Sequence, residues 1–307
     1  MPNLLKDKVA IVTGGGRGIG RAHAIAMAAQ GAKVVVNDPG VARDGTQADK
    51  SVADLVAAEI QKASGTAVAH YDTVATSEGA ANIIQCAIDK FGRLDILVNN
   101  AGILRDRMIF NMSDEEWDAV IKTHLYGTFY CTREACRIMR QQKSGRIINT
   151  SSASGLGNVG QANYSAAKEG IVGFTRTVAL EMASSGVTCN AIRPHAATRM
   201  TLDEKVRASW IKSLGEEGAR KKEKRYYEEM SPEGTSPLVV FLASDAADNI
   251  NGYVFDTMYG RVAIYREPGI EHSVIKAGNW TPEELVELLP KSITKDMIRE
   301  RPRISVF

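Results

Sequence analysis

The feature that most constrains this chain is a short apolar run that stops on a cluster of glycines. Val9-Ala10-Ile11-Val12-Thr13 has no polar alternation, as expected for a strand buried on both faces. It meets Gly14-Gly15-Gly16-Arg17-Gly18-Ile19-Gly20, and Arg21 to Gln30 then reads as a helix closed by Gly31. Strand, glycine turn and helix aim backbone N–H groups and a helix N-terminus at one point, the arrangement that receives a pyrophosphate. Gly14, Gly18 and Gly20 let the backbone approach a ligand and the helix pack close to the strand. A tight turn that binds nothing would look the same locally, so the rest of the chain has to decide.

The next strand, Ala32 to Asp38, ends in a carboxylate 18 residues after Gly20. There Asp38 can accept hydrogen bonds from an adenine ribose diol and would repel a 2′-phosphate. Its plain alternative is to cap the following turn. Arg17 pulls the other way, since a basic residue in the loop could meet a 2′-phosphate. The carboxylate sits where the diol itself would lie, so NAD is favoured over NADP.

Beyond a polar excursion over 39–51, strands and helices alternate. A helix is expected from about Ser51 to Ala63, a strand from Ala67 to Tyr71, and a helix from Glu78 to Phe91. A strand from Leu94 to Val98 then leads into Asn99-Asn100-Ala101-Gly102. One long helix, Asp114 to Arg140, starts on a capping box, Ser113-Asp114-Glu115-Glu116. Strands from Arg146 to Thr150 and Val187 to Ile192 complete the pattern, with no internal repeat. The expected fold is α/β, a doubly wound parallel sheet of Rossmann type, forming a single domain with a C-terminal extension. Such sheets bind ligands beyond the carboxyl ends of their strands. Gly14, Asp38, Asp72, Asn100 and Ser151-Ser152 all fall there, and Asp72 with Thr73 could contact the adenine edge.

Between those last two strands lies Tyr164-Ser165-Ala166-Ala167-Lys168. On a helix, four residues leave Tyr and Lys about 40° apart on one face. A free Tyr titrates near pH ~10, so neutral-pH proton transfer needs a shift worth about 3–4 kcal/mol. One ammonium at about 4 Å supplies ~4 kcal/mol at an effective dielectric near 20. A solvated Tyr-Lys pair on a surface helix is the plain alternative.

Composition narrows the partners. A formal net charge of +2 over 307 residues gives no case for nucleic acid or a membrane surface. Cys86, Cys131, Cys136 and Cys189 show no paired spacing and read as reduced, mostly buried thiols. With neither a leader pattern nor an apolar run near 18 residues, the expectation is a cytoplasmic protein. No metal site is expected.

The residues together resemble the short-chain dehydrogenases/reductases, over about 5–265. The resemblance rests on Thr13-Gly14-x-x-x-Gly18-x-Gly20, Asn99-Asn100-Ala101-Gly102, a Ser before Tyr164-x-x-x-Lys168, and Phe241-Leu242-Ala243-Ser244-Asp245. Several stretches are most similar to the (3R)-hydroxyacyl-CoA dehydrogenases and their 17-beta-hydroxysteroid-active relatives. They are Val36-Asn37-Asp38, Asn100 to Arg107, Ser151 to Gly155 and Ala197-Thr198-Arg199-Met200-Thr201.

The resemblance implies an NAD(P)-dependent oxidoreductase that interconverts a secondary alcohol and a ketone. A (3R)-3-hydroxyacyl-CoA is the first substrate class it suggests. A hydroxysteroid or small ketone is the alternative, and a non-catalytic dinucleotide-binding protein lies further off. Catalytic roles fall on Ser152, Tyr164, Lys168 and His124. Tyr164 would exchange the substrate proton, Lys168 would lower the phenol's pKa and hold the nicotinamide ribose, and a Ser would hold the substrate oxygen. Cofactor contacts fall on Gly14, Arg17, Gly18, Ile19, Gly20, Asp38, Asp72, Thr73, Asn99, Asn100, Ala101, Gly102, Tyr164, Lys168, Ala197 and Thr198.

Three departures matter. The usual offset of 13 residues before Tyr164 lands on Ser151, whereas counting from the strand end selects Ser152, which is preferred. His124 stands where the family carries an Asn that helps fix a water beside the Lys. It is either a link in that relay or a satisfied core histidine. Pro194-His195 replaces a Pro-Gly, which puts the backbone contacts to the nicotinamide there in doubt.

Segment 202–232 is the most polar and takes the place of the family's lid. Its Lys and Arg residues could meet CoA phosphates, but the interleaved glutamates favour a solvated helix. The extension 266–307, with a capped helix start at Thr281-Pro282, is expected to pack on the core or a partner subunit. The apolar continuation Gly170 to Ser184 is expected to meet the sheet and a neighbouring subunit in a homodimer or homotetramer.

Overall fold

The computed structural model describes residues 3–46, 49–198 and 204–297. Arg199, Met200 and Thr201, the first two lid positions and residues 298–307 lie outside them. Two compact units divide the chain at Ile264 and Tyr265.

The first unit begins with β1 (Val9–Thr13), whose five residues are all buried. The run lacks polar alternation because helices cover both faces. There follow α1 (Gly18–Ala29), β2 (Lys33–Asn37), α2 (Ser51–Lys62), β3 (Thr66–His70), α3 (Ser77–Phe91) and β4 (Ile96–Asn99). Then come α4 (Asp114–Ile121), α5 (Gly127–Gln142), β5 (Gly145–Thr150), α6 (Ala162–Met182) and β6 (Val187–Pro194). The unit closes with α7 (Glu204–Glu229, kinked at Gly215), α8 (Ser236–Ala243), β7 (Val254–Met258) and β8 (Arg261–Ile264).

All eight strands form one sheet in the order β3-β2-β1-β4-β5-β6-β7-β8. Every pairing is parallel except β7 with β8. The strand order reverses between β1 and β4, which opens a crevice at their carboxyl ends. One apolar core packs α1, α2 and α8 on the sheet through Met27, Val56, Ile60 and Val239. The other packs α3, α5 and α6 through Ile83, Cys131, Met139 and Val178. Ile11, Leu97 and Ile147 are fully buried. Truncating such a side chain to Ala removes about 2–5 kcal/mol.

The expected single helix from Asp114 to Arg140 is two helices. A π turn, Lys122–Tyr126, separates α4 from α5. The extra residue in that turn shifts the helical phase, so His124 points inward and is buried. A Cβ on Gly127 would stand 2.7 Å from Cγ2 of Val74, so the second helix begins where only glycine fits.

The second unit carries α9 (Pro282–Leu288). Thr281 and Glu284 form a reciprocal capping box at its start, and Lys276 bridges to Glu284. Among the described residues no helix is long and apolar enough to cross a membrane. No group of three or more His, Cys, Asp or Glu among them could hold a metal ion.

Candidate active site

The glycine turn is braced from behind. The Asn100 amide donates to the carbonyls of Thr13 (3.0 Å) and Gly14 (3.1 Å). The Thr13 hydroxyl in turn accepts from the N–H groups of Asn100 and Ala101, at 3.0 and 3.1 Å. A Cβ on Gly20 would lie 2.1 Å from the Gly14 oxygen, and one on Gly14 would lie 2.8 Å from Cα of Ala101. Gly14 and Gly18 both take positive φ, 63° and 53°. Arg17 caps α1 without a side-chain hydrogen bond, and no acidic residue lies in its first turn. The helix therefore presents its first N–H groups to the crevice, a cradle suited to a diphosphate.

Asp38 follows β2 at the edge of this cradle. Its carboxylate accepts from the N–H of Gly16 at 2.9 Å and of Gly40 at 2.7 Å. Asp38 thus holds the turn, the plain alternative weighed from the sequence, with its carboxylate beside the glycines. Arg17 reaches the Val41 carbonyl at 3.5 Å and Asp49 at 3.9 Å, on the same side of the turn. Ile19 opens α1 and is partly exposed.

One expected contact residue points into the sheet. Asn99 is buried in the sheet, and its amide donates to Thr132 and Asn149, both at 2.9 Å. Its side chain belongs to an internal polar ladder because it points to the opposite face of the strand from Asn100. Asp72 accepts from Asn82 at 2.8 Å, and Thr73 accepts from the Ala75 N–H at 3.2 Å, at the carboxyl end of β3 where the chain turns into α3.

The two serines at the end of β5 separate cleanly. Ser151 is buried and donates to the Lys168 carbonyl at 2.8 Å, tying the strand end to α6. Ser152 is partly exposed, and its side chain is the hydrogen-bonding neighbour of the Tyr164 phenol. Strand alternation puts them on opposite faces. Asn163, which the sequence reading missed, holds Tyr164 in place. Its side-chain Oδ1 accepts the Tyr164 N–H at 2.8 Å, while its side-chain Nδ2 donates to the backbone carbonyls of Arg105 and Glu116 at 3.0 Å. A buried polar residue next to the tyrosine was the available signal.

Tyr164 and Lys168 share a face of α6, with Nζ 5.5 Å from the ring centroid. The ammonium is buried and donates to the Thr150 carbonyl at 2.6 Å. The expected tuning of Tyr by Lys is not what the chain's own groups produce. Burial pushes the phenol up to about 12, against the opposing hydrogen bond from Ser152 and with added push from Asp106. Burial likewise brings Lys168 down to about 7. The simple pair estimate omitted the desolvation that both groups undergo.

His124 lies against the same tyrosine, ring edge to ring face, with centroids 5.1 Å apart. Its Nε2 meets the Ile103 backbone, 2.8 Å from the oxygen and 3.1 Å from the nitrogen. Nδ1 is buried and has no partner among the described residues. Burial first, then the Lys168 charge, hold the imidazole well below its ordinary pKa, so it is neutral.

On the far side of the crevice, Ala197 donates to the Met230 carbonyl at 2.5 Å. Thr198 brings its methyl within 3.4 Å of where a Gly18 Cβ would be. Several basic residues of the lid segment and of the loop after β4 are bonded within the chain. Lys221 meets Glu217 (2.8 Å), Arg225 meets Glu229 (2.6 Å) and Arg107 meets Glu116 (2.7 Å). Arg105 donates to the Asp44 carbonyl at 2.8 Å.

A doubly wound sheet, a braced glycine cradle and a Ser-Tyr-Lys cluster at the end of β5 define a dinucleotide-dependent oxidoreductase. The short chain dehydrogenase family model matches residues 8–208, and the chain belongs to that family. It is therefore an oxidoreductase of hydroxyl and keto groups that uses a nicotinamide dinucleotide. A hydroxyacyl-CoA dehydrogenase of Mycobacterium tuberculosis is 41% identical over 295 residues, 93% of this chain and 88% of that protein. Mouse peroxisomal multifunctional enzyme type 2 is 43% identical over 285 residues, 92% of this chain but only 36% of the longer enzyme. The crystal structure of a short chain dehydrogenase from Mycobacterium avium superposes with a TM-score of 0.81 at 43% identity, covering 99% of both chains.

Proposed function

We propose that this chain is an NAD-dependent dehydrogenase of secondary alcohols whose substrate class is the (3R)-3-hydroxyacyl-CoA thioesters. The observation that carries the reading is the convergence of Ser152, Tyr164 and Lys168 beside the glycine cradle. When bound, the nicotinamide supplies the hydride acceptor in oxidation and the donor in reduction. Ser152 holds the substrate oxygen where charge develops. Tyr164 exchanges the proton with that oxygen, and its partly buried, neutral phenol suits it to donate in reduction. Lys168, the group of the cluster that titrates near neutrality, holds the ribose and takes up or releases the proton next. His124, with Nδ1 free among the described residues, passes it on.

NAD is preferred over NADP because the Asp38 carboxylate stands beside Gly16, where a 2′-phosphate would meet negative charge. Support for the thioester comes from the hydroxyacyl-CoA dehydrogenase among the relatives, since lid cations such as Lys221 and Arg225 are paired with glutamates of their own helix. Four free thiols fit a reducing compartment such as the cytoplasm. The adenine-side contacts extend to Asp72 and Thr73, and the nicotinamide-side contacts to Gly102, Ala197 and Thr198.

Absorbance at 340 nm with a panel of 3-hydroxyacyl-CoAs, hydroxysteroids and small alcohols tests the reading. Turnover of the (3R) thioesters with NAD is expected. Tyr164→Phe should lose about a hundredfold or more in kcat while NADH affinity stays within about two-fold. Tight NADH binding with no turnover of any substrate would mean a binding protein.

A further inference from the structure

His195 occupies the position after Pro194 where the family pattern has glycine, and its side chain is built into a polar clasp. Its Nε2 lies 2.8 Å from Oδ1 of Asp256 on β7. A carboxylate only accepts, so that nitrogen carries the hydrogen. The other Asp256 oxygen accepts from Arg261 on β8, from Nε at 3.0 Å and from the terminal nitrogen at 2.6 Å. Asp256 is only 3% exposed, which makes these donors the condition for burying its charge. The His195 N–H also extends the ladder, donating to the Thr257 carbonyl at 2.9 Å.

The clasp lies at the root of the segment 195–198, whose other end reaches the cradle. Thr198 packs toward Gly18, and Ala197 is pinned to Met230. The dinucleotide's adenosine end belongs on the Asp38 side of the cradle and its reactive end on the Tyr164 side. Segment 195–198, running from the end of β6, therefore borders the reactive half. The β7–β8 hairpin bonds this segment at its start through the imidazole and the backbone N–H of His195.

We propose that His195, held by Asp256 and Arg261, is a positioning residue that orders segment 195–198 against the nicotinamide half of the cofactor. The inference rests on the dinucleotide reading and adds to it a residue outside the Ser-Tyr-Lys cluster. Glycine at this position would leave the segment's backbone free to rotate, and the clasp replaces that freedom with a side-chain anchor. It acts on one half of the cofactor only, which separates it from a general contribution to folding.

The test titrates NADH and ADP, which lacks the nicotinamide and its ribose, by calorimetry against wild type, His195→Ala, His195→Gln and Asp256→Asn. His195→Ala is expected to weaken NADH about five- to tenfold and ADP by less than about two-fold. Gln restores an N–H toward Asp256 and should recover most of the loss. Combining His195→Ala with Asp256→Asn should weaken NADH no further than the worse single variant, because both loosen the same clasp. Equal weakening of NADH and ADP, or unchanged NADH binding in His195→Ala, would overturn the proposal. Should His195→Ala not fold, Asp256→Asn, which keeps the shape of the side chain, carries the same comparison. Failure of the wild-type chain to bind NADH would instead overturn the dinucleotide reading itself.

Discussion

The imidazole of His124 stands edge-on to the Tyr164 ring at 88° because residue 102 has no side chain. A Cβ on Gly102 would lie 2.3 Å from Cε1 of His124. Gly102→Ala should therefore push the ring from its place, destabilise the fold by about 1–3 kcal/mol and lower kcat. Removing the ring as well, in Gly102→Ala/His124→Ala, should recover part of that stability in urea denaturation. If the double variant is less stable than Gly102→Ala alone, the clash is not the cause.

Ser151 and Ser152 are neighbours with opposite duties. Ser151→Ala loses the bond to the Lys168 carbonyl and should lower stability by about 1 kcal/mol while keeping most activity. Ser152→Ala should fold like wild type and lose roughly a hundredfold in kcat. Thermal melts and steady-state rates on the two variants decide the matter, and the reverse pattern would exchange their roles.

Lys168 gives a pH signature. Its folded-state affinity near 7 lies below the ordinary 10.5, so folding expels a proton between those values. Over that window wild type should gain stability with rising pH relative to Lys168→Met, which buries a similar volume without charge. The ceiling is about 5 kcal/mol at ~1.36 kcal/mol per decade of proton affinity. Below pH 7 the difference should be flat. Denaturation curves from pH 6 to 10 that run parallel for the two proteins would contradict the burial of this amine.

Asp38 couples cofactor choice to the shape of the turn. Asp38→Ala removes a negative charge and two acceptors for Gly16 and Gly40. Affinity for NADH should fall more than affinity for NADPH, narrowing their ratio by about tenfold, or ~1.4 kcal/mol. Fluorescence titration with both nucleotides measures it, and an unchanged ratio would remove Asp38 from cofactor selection.

How far the sequence reached differs by residue. Val9 to Gly20 announced a buried strand and a cradle because apolar periodicity and glycine chemistry are local properties. Tyr164 and Lys168 were legible for the same reason, as helical spacing fixes their common face. What stayed hidden depends on contacts between distant segments. Asn99 reads as part of a site motif, yet its amide reaches Thr132 and Asn149. Counting alone could not separate Ser151 from Ser152, since direction out of a strand depends on where the strand ends. Nor could it give the proton affinities of Tyr164 and Lys168, which follow from desolvation by groups far apart in the chain.

The π turn at Lys122–Tyr126 has a consequence for how this region tolerates change. It is a phase slip of one residue between two helices that answer to different neighbours. His124 just inside it faces Tyr164, whereas Cys131, Ala135 and Met139 beyond it face α3 and the sheet. Deleting one residue from the turn would bring the two halves back into a common helical phase, rotating one by about 100° relative to the other. Either the imidazole or the core stripe would then turn away. Length, more than side-chain identity, is what this short segment cannot vary.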